Sequence, residues 1–293
     1  MKRKGLWITL GAVGVVIVVF IILCFTLFGL KTIKVDFRTS TVNLTGQESE
    51  IIESGKFARG GSVLFMGKKK AIANIESAYP YIKVVNIETV FPSTYVIHAA
   101  ERLEVYAVPV EGGTLIVDEE FKVLRREEGE YQSGEDKPIL YSGLTVANPE
   151  AQPGQFLKVE NYIDTYSAFL ESNRLLNEQK SLIKDISVGV LHDDNIDADQ
   201  EYVKLSLYDG QTYLIKNATY GLKYKVAKMI SVYSNIFTII GQPIDKDKPD
   251  GEVWTAELIK NSIIEINNYY RSDLHGENEC YFVVKPPQNS LNV

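Results

Sequence analysis

Between Gly5 and Leu30 the chain runs for 26 residues without a charge, and Val15-Val16-Ile17-Val18-Val19-Phe20-Ile21-Ile22-Leu23 within it is continuously apolar. Such a segment has few options. A helix rises about 1.5 Å per residue, so roughly 20 residues cross a hydrocarbon core of about 30 Å. Val and Ile are weak helix formers in water, but lipid offers the backbone no other hydrogen-bond partner and so imposes the helix. The competing reading is a cleaved signal peptide, which needs an apolar stretch of about 7–15 residues and a small-x-small cleavage site. The run here is longer and ends Cys24-Phe25-Thr26-Leu27-Phe28-Gly29-Leu30-Lys31, without such a site. It reads as an uncleaved anchor.

Lys2, Arg3 and Lys4 precede the run, and Lys31, Lys34 and Arg38 follow within eight residues. The positive-inside bias toward a cytoplasmic N-terminus is thin. That orientation would put the 263 residues after Leu30 outside the cytoplasm. Cys280 would then be the one external cysteine, because Cys24 lies in the span, and no intrachain disulfide could form there. The chain has a net charge of -7; the first four residues contribute +3, leaving -10 for the rest. Phosphate binding rests on an excess of Lys and Arg, so a nucleic-acid partner is not expected. Two cysteines and three histidines (His98, His192 and His275) argue against a disulfide scaffold and a zinc site.

After the span, Thr32 to Phe37 alternates as a strand. Thr45-Gly46-Gln47-Glu48 fits a capping box ahead of a short helix to Ser54, with Gly55 as its C-terminal cap. Lys68 to Tyr79 reads as a helix with Ala71, Ile72, Ile75, Ala78 and Tyr79 on one face, stopped by Pro80. Val84 to Phe91 and Tyr95 to Arg102 read as strands joined through Pro92-Ser93, with Val85, Ile87, Thr89 and Phe91 on one side of the first. The order is strand, helix, helix, strand, strand, an economical α+β module.

A second region opens near Val105 with a hairpin around Glu111-Gly112-Gly113, which Phe121 to Leu124 could extend. Arg125 to Lys137 and Asn148 to Gly154 read as loops, Lys158 to Glu171 as a helix, and Leu191 to Gln200 as a polar loop. Val203 to Lys216 is a hairpin, with Asp209-Gly210 supplying positive-φ residues. Leu222 to Ile236 reads as an amphipathic helix with Lys223, Lys225 and Lys228 on its polar face. Trp254 to Tyr270 is ambiguous between helix and strand, and Glu279 to Lys285 forms a last strand before Pro286-Pro287.

One span followed directly by that module resembles the FtsQ/DivIB family of bacterial cell-division proteins, whose first external domain is a POTRA domain. The residues that carry the likeness are Val85 to Ile97 with Phe91-Pro92-Ser93 at the turn, the closing pair Glu101-Arg102, and Gly61-Ser62-Val63-Leu64-Phe65 before the second helix. Leu115-Ile116-Val117-Asp118, and Pro138-Ile139-Leu140 followed by Gly143, match landmarks of the next domain. The chain departs from the pattern at Thr89, Glu104 and Phe121, where the family usually carries Arg, Pro and Gly. The resemblance implies an α+β protein: a single transmembrane helix, a POTRA-type β-α-α-β-β domain, then a larger mixed α/β domain with a mostly antiparallel sheet. The expected boundaries are a tail over 1–4, a transmembrane helix over 5–30, a POTRA-like domain over 31–104, a β-rich extracytoplasmic domain over 105–285 and a tail over 286–293. It also implies a single-pass cell-membrane protein with its bulk outside. Its role would be to help assemble and regulate septal wall synthesis with FtsB/DivIC-like and FtsL-like single-span partners.

No nucleophile elbow, phosphate loop or His-Glu-x-x-His motif is present, so neither catalytic nor metal nor cofactor-binding residues are assigned and no cofactor is expected. His98 reads as a sheet-surface histidine, and His192, beside Asp193 and Asp194, as part of a solvated acidic loop. The alternatives to a scaffold are an envelope enzyme or a ligand-binding ectodomain on the same anchor. The 17 tyrosines suit either a recognition surface or ordinary sheet positions. Cys280 to Val284 carries neither charge nor proline and has no later strand to cover it, so it is expected at a sheet edge. Tyr281 and Val283 would face one side, Phe282 and Val284 the other, one pair inward. Tyr281, Phe282, Val283 and Val284 are therefore the candidate partner-binding residues, and near these last strands the resemblance also puts the FtsB/DivIC contact.

Overall fold

The computed structural model describes residues 2–38, 46–64, 67–135, 137–161, 163, 183–193, 198–247, 250–268 and 280–287, with side chains described for all of these except 2–10, 193, 268, 280 and 281. The protein is α+β with a large mixed sheet. Contacts divide it into two units, 1–103 with 152–155, and 104–151 with 156–293.

The first unit begins with α1 (Lys2–Thr26), a 25-residue helix. It starts before Gly5 and stops before Leu30, although the uncharged run continues to Leu30. The stop has a clear cause. Gly29 bridges to Ser62, Leu30 N–H donates to Gly61 O at 2.8 Å, and Leu30 is buried in the unit's core, which pulls these residues out of the helix. The part of α1 with described side chains, 11–26, is 16 residues, about 24 Å at helical rise. Among the described residues no helix is long and apolar enough to cross a membrane.

Beyond α1 come β1 (Thr32–Phe37), α2 (Glu48–Ser54), α3 (Lys68–Ala78), β2 (Ile82–Val90) and β3 (Thr94–Glu101). The strands form a sheet of order β1-β3-β2, with β1 parallel and β2 antiparallel to β3. Ile51 of α2 and Ala71 and Ile75 of α3 pack on Ile82, Val84, Ile87, Tyr95, Ile97 and Ala99. Ala78, expected on the inward stripe, is exposed at the end of α3. A bulge between Val84 and Asn86 moves Val84 and Ile87 inward and leaves Val85 and Phe91 exposed, which overturns the simple alternation. Arg102, buried, donates from Nη2 to Glu76 Oε2 at 3.2 Å, while Glu76 Oε1 accepts from Val84 N–H at 2.9 Å. This arrangement ties α3 to the start of β2. The cap of α2 also differs from expectation. Gln47 is the N-cap residue, Glu48 Oε2 accepts from Gly46 N–H at 3.1 Å, Gly55 is right-handed, and Lys56 takes the positive φ. Thr45 lies outside the described residues.

The second unit holds a nine-stranded sheet: β4 (Tyr106–Val110), β5 (Gly113–Val117), β6 (Val123–Glu127), β7 (Ile139–Ser142), β8 (Ile183–Asp193), β9 (Ala198–Leu207), β10 (Thr212–Lys216), β11 (Ile263–Asn268) and β12 (Cys280–Lys285). Their order is β12-β11-β10-β9-β8-β7-β4-β5-β6. The β10–β11, β8–β7 and β7–β4 junctions are parallel and the rest antiparallel. Between β10 and β11 run α4 (Leu222–Asn235), a 3-10 turn (Ile236–Ile239) and α5 (Ala256–Asn261). The stretch ambiguous in sequence is thus both, α5 and then β11, and Thr255 caps α5 by accepting from Leu258 N–H at 3.1 Å.

Four further expectations are corrected. Arg125 to Glu127 is not loop but the end of β6, where Arg125 pairs with Glu104 and Glu127. The expected loop at Leu191 to Gln200 is mostly the β8–β9 hairpin, leaving 194–197 outside the described residues. Residues 158–161 are not helical, since Val159 bridges to Val146; the remainder of that expected helix, apart from Ile163, lies outside the described residues. Lys225, expected on the polar face of α4, is fully buried. Its Nζ donates to Lys216 O at 2.8 Å and Asn217 O at 2.6 Å, so an ammonium caps the end of β10 while its stem lies in the core.

Candidate partner-binding edge

Tyr281, Phe282, Val283 and Val284 lie on β12, which pairs with β11 on one side and is the outermost described strand of its sheet. The register sets what each side chain can do. Phe282 sits opposite Ile266 and Val284 opposite Ile264, and both isoleucines are fully buried. Phe282 and Val284 are therefore the inward pair. Val284 packs on the core, but Phe282 remains 39% exposed, with Lys228 Nζ of α4 5.6 Å from its ring centroid. This cation–π contact holds the ring at the mouth of the helix-covered face. Val283, opposite Glu265, points to the other face and is 42% exposed. Tyr281 pairs with Asn267, and its side chain lies outside the described residues.

Sequence reading missed the group that fastens the edge. Glu265, on the open face of β11, accepts from Lys216 Nζ of β10 at 3.1 Å and from Lys285 Nζ of β12 at 2.6 Å. One carboxylate thus spans three strands while largely shielded from water, where charge pairs are stronger than at a free surface. The signal was a single charge inside Ile263-Ile264-Glu265-Ile266, which in a strand falls on the face opposite Ile264 and Ile266.

The arrangement suits recognition rather than proton transfer. An outermost strand presents backbone N–H and C=O groups that an extended segment can pair with, and the residues alternating along it give specificity. Nearby phenols stay protonated. Tyr213 donates to Gln211 Oε1 at 2.7 Å, Gln211 Nε2 donates to Asp209 Oδ2 at 3.0 Å, and burial followed by Asp209 pushes the Tyr213 phenol far up. Burial and Asp209 raise Tyr233 too. The flagged histidines lie elsewhere: His192 contacts Asp199 at 3.0 Å on an exposed hairpin, and His98 bridges Asp36 and Glu88 in the first unit. Among the described residues no group of three or more His, Cys, Asp or Glu is arranged to hold a metal. No protein-family model matches the chain, and no curated protein matches it either.

Proposed function

We propose that the chain is a non-enzymatic, membrane-anchored scaffold of the bacterial division machinery, resembling FtsQ/DivIB. It would help assemble and regulate septal cell-wall synthesis through FtsB/DivIC-like and FtsL-like single-span proteins. The observation that carries this reading is β12, the outermost strand of its sheet among the described residues, with Phe282 and Val283 exposed and no charge or proline before Lys285. Natural edges of that kind are usually guarded, so an unguarded one is suited to a partner strand. The β-α-α-β-β order of the first unit supports a POTRA-type domain. The 26-residue uncharged run from Gly5 to Leu30 supports an anchor, with Lys2, Arg3 and Lys4 favouring a cytoplasmic N-terminus.

The test is titration of the full chain, held in lipid discs, with the extracytoplasmic segment of an FtsB/DivIC-like protein. Val283→Pro removes a backbone donor from β12 and is expected to weaken binding at least about tenfold, or about 1.4 kcal/mol. A folded variant that binds with unchanged affinity places the partner site elsewhere. Protease added to intact protoplasts should digest the chain beyond α1, and full protection would reverse the orientation.

A further inference from the structure

We propose that the end of the first unit from which α1 emerges is itself a lipid-binding face, which seats the unit on an anionic bilayer surface; this rests on reading α1 as the membrane anchor. Main-chain hydrogen bonds bring three segments to that end. Phe28 O accepts from Val63 N–H at 2.8 Å, and Leu30 bonds Gly61 and Gly60 through its N–H and its carbonyl, at 2.8 and 3.2 Å. Lys31 and Thr32 both donate to Ser93 O, at 2.9 and 3.3 Å. Only residues 27–29 separate α1 from the buried Leu30, a reach of at most about 14 Å over four Cα steps. With α1 in lipid, these loops lie at the headgroups.

The side chains there have the matching chemistry. Phe91 is 61% exposed and edge-on to Phe28, with ring centroids 6.1 Å apart; Leu27, Leu64 and Val90 are exposed as well. The segments 27–32, 56–64, 67–70 and 89–96 contain Lys31, Lys56, Arg59, Lys68, Lys69 and Lys70 and no acidic residue, in a chain whose net charge is -7. Glu53 and Glu88 flank these segments from outside, and Glu88 is engaged by His98. Lys68, Lys69 and Lys70 occupy the first turn of α3, where the helix dipole disfavours cations, so helix stability does not account for them. Lys68 Nζ lies 5.2 Å from the ring centroid of Tyr95, whose hydroxyl donates to Val63 O at 2.8 Å, which sets this turn beside the Phe28–Val63 junction. Apolar side chains flanked by lysines and arginines, with no acid among them, form the composition that docks on anionic lipid: the apolar groups enter the acyl boundary and the cations meet the phosphates.

The test uses the full chain in lipid discs containing brominated lipid. Trp7, within the uncharged run, reports whether α1 is in the bilayer, and Phe91→Trp adds a reporter at the proposed face. Leu64→Trp serves as a second reporter should Phe91→Trp fold poorly. The expected result is quenching of Trp7 in every disc, with added quenching from the new Trp in phosphatidylglycerol discs. That added quenching should be lost in phosphatidylcholine discs, at high salt, and in Arg59→Glu/Lys69→Glu/Lys70→Glu. Quenched Trp7 with no added quenching overturns this inference and leaves the anchor standing. Added quenching that survives charge reversal also overturns it. Unquenched Trp7 overturns the anchor, and this inference with it.

Discussion

His98 shows how a residue that reads blandly in sequence acquires a role from its neighbours across the sheet. Its ring lies between Glu88 Oε2 at 3.0 Å and Asp36 Oδ2 at 2.9 Å, one carboxylate from each flanking strand. The hydrogen bond to Glu88, and then that to Asp36, raise its pKa above the ordinary 6.5. A raised folded pKa means that folding favours the imidazolium. The stability it supplies is fully present below about pH 6.5 and is lost as pH rises through the elevated folded value. Thermal unfolding of the wild type and His98→Asn should therefore differ most at acid pH and converge above that value. A gap that widens with pH would reverse the assignment. Phe121 and Lys225 were harder to read. Phe121 stands where the resembled family usually has Gly, and it does hold φ 60°, a left-handed conformation costing roughly 1 kcal/mol. Its ring stacks on Tyr106 at 5.6 Å and is almost fully buried, so packing offsets the backbone cost. Polarity placed Lys225 in solvent, because nothing local announces that two carbonyls at the end of β10 await its ammonium.

Elements with a strong period were legible, and elements set by tertiary contact were not. The strand–helix–helix–strand–strand order follows from alternation, from the apolar spacing in α3 and from Pro80. The bulge at Val84–Asn86 is a register event, and no pattern in β2 alone reveals it. The same holds for β6, whose Arg125-Arg126-Glu127 looks like loop until Glu104 and the backbone of β5 are placed beside it. The start of α3 is a conflict of another kind. Gly67 offers no side-chain cap, and the first turn is all lysine. Replacing Lys69 and Lys70 by Glu reverses two unfavourable dipole interactions, each worth about 0.3–1 kcal/mol. Hydrogen exchange of the α3 amides in the full chain should slow in Lys69→Glu/Lys70→Glu. A variant that stabilises its helix while losing lipid contact would separate function from folding. Faster exchange would mean that the lysines serve the helix after all.

At the scale of the whole sheet, the two outermost described strands are treated differently, and that asymmetry yields the most direct check on the partner site. β6 ends in Arg125, Arg126 and Glu127, and Arg126 also reaches Glu111 O at 2.9 Å, so charge and a long side chain guard that edge. β12 carries Phe282, Val283 and Val284 in its middle and, among the described residues, only Lys285 at its end, whose ammonium is drawn inward to Glu265. A sequence shows which strands carry charge, and the end of the chain suggested β12 as an edge, but its partner β11 lies in the stretch ambiguous between helix and strand and could not be placed without the strand order. Lysine is an effective guard because pairing with a new strand would bury its charge. Val283→Lys puts one at the middle of β12, directly across from Glu265, where the native fold can accept it beside a carboxylate. The melting temperature is therefore expected to stay near that of the wild type, while affinity for an FtsB/DivIC-like segment falls by about tenfold or more. Arg126→Ala, at the other edge, should leave that affinity unchanged. Equal losses from both variants would show that binding does not use β12, and a loss from Arg126→Ala alone would move the site to the β6 edge.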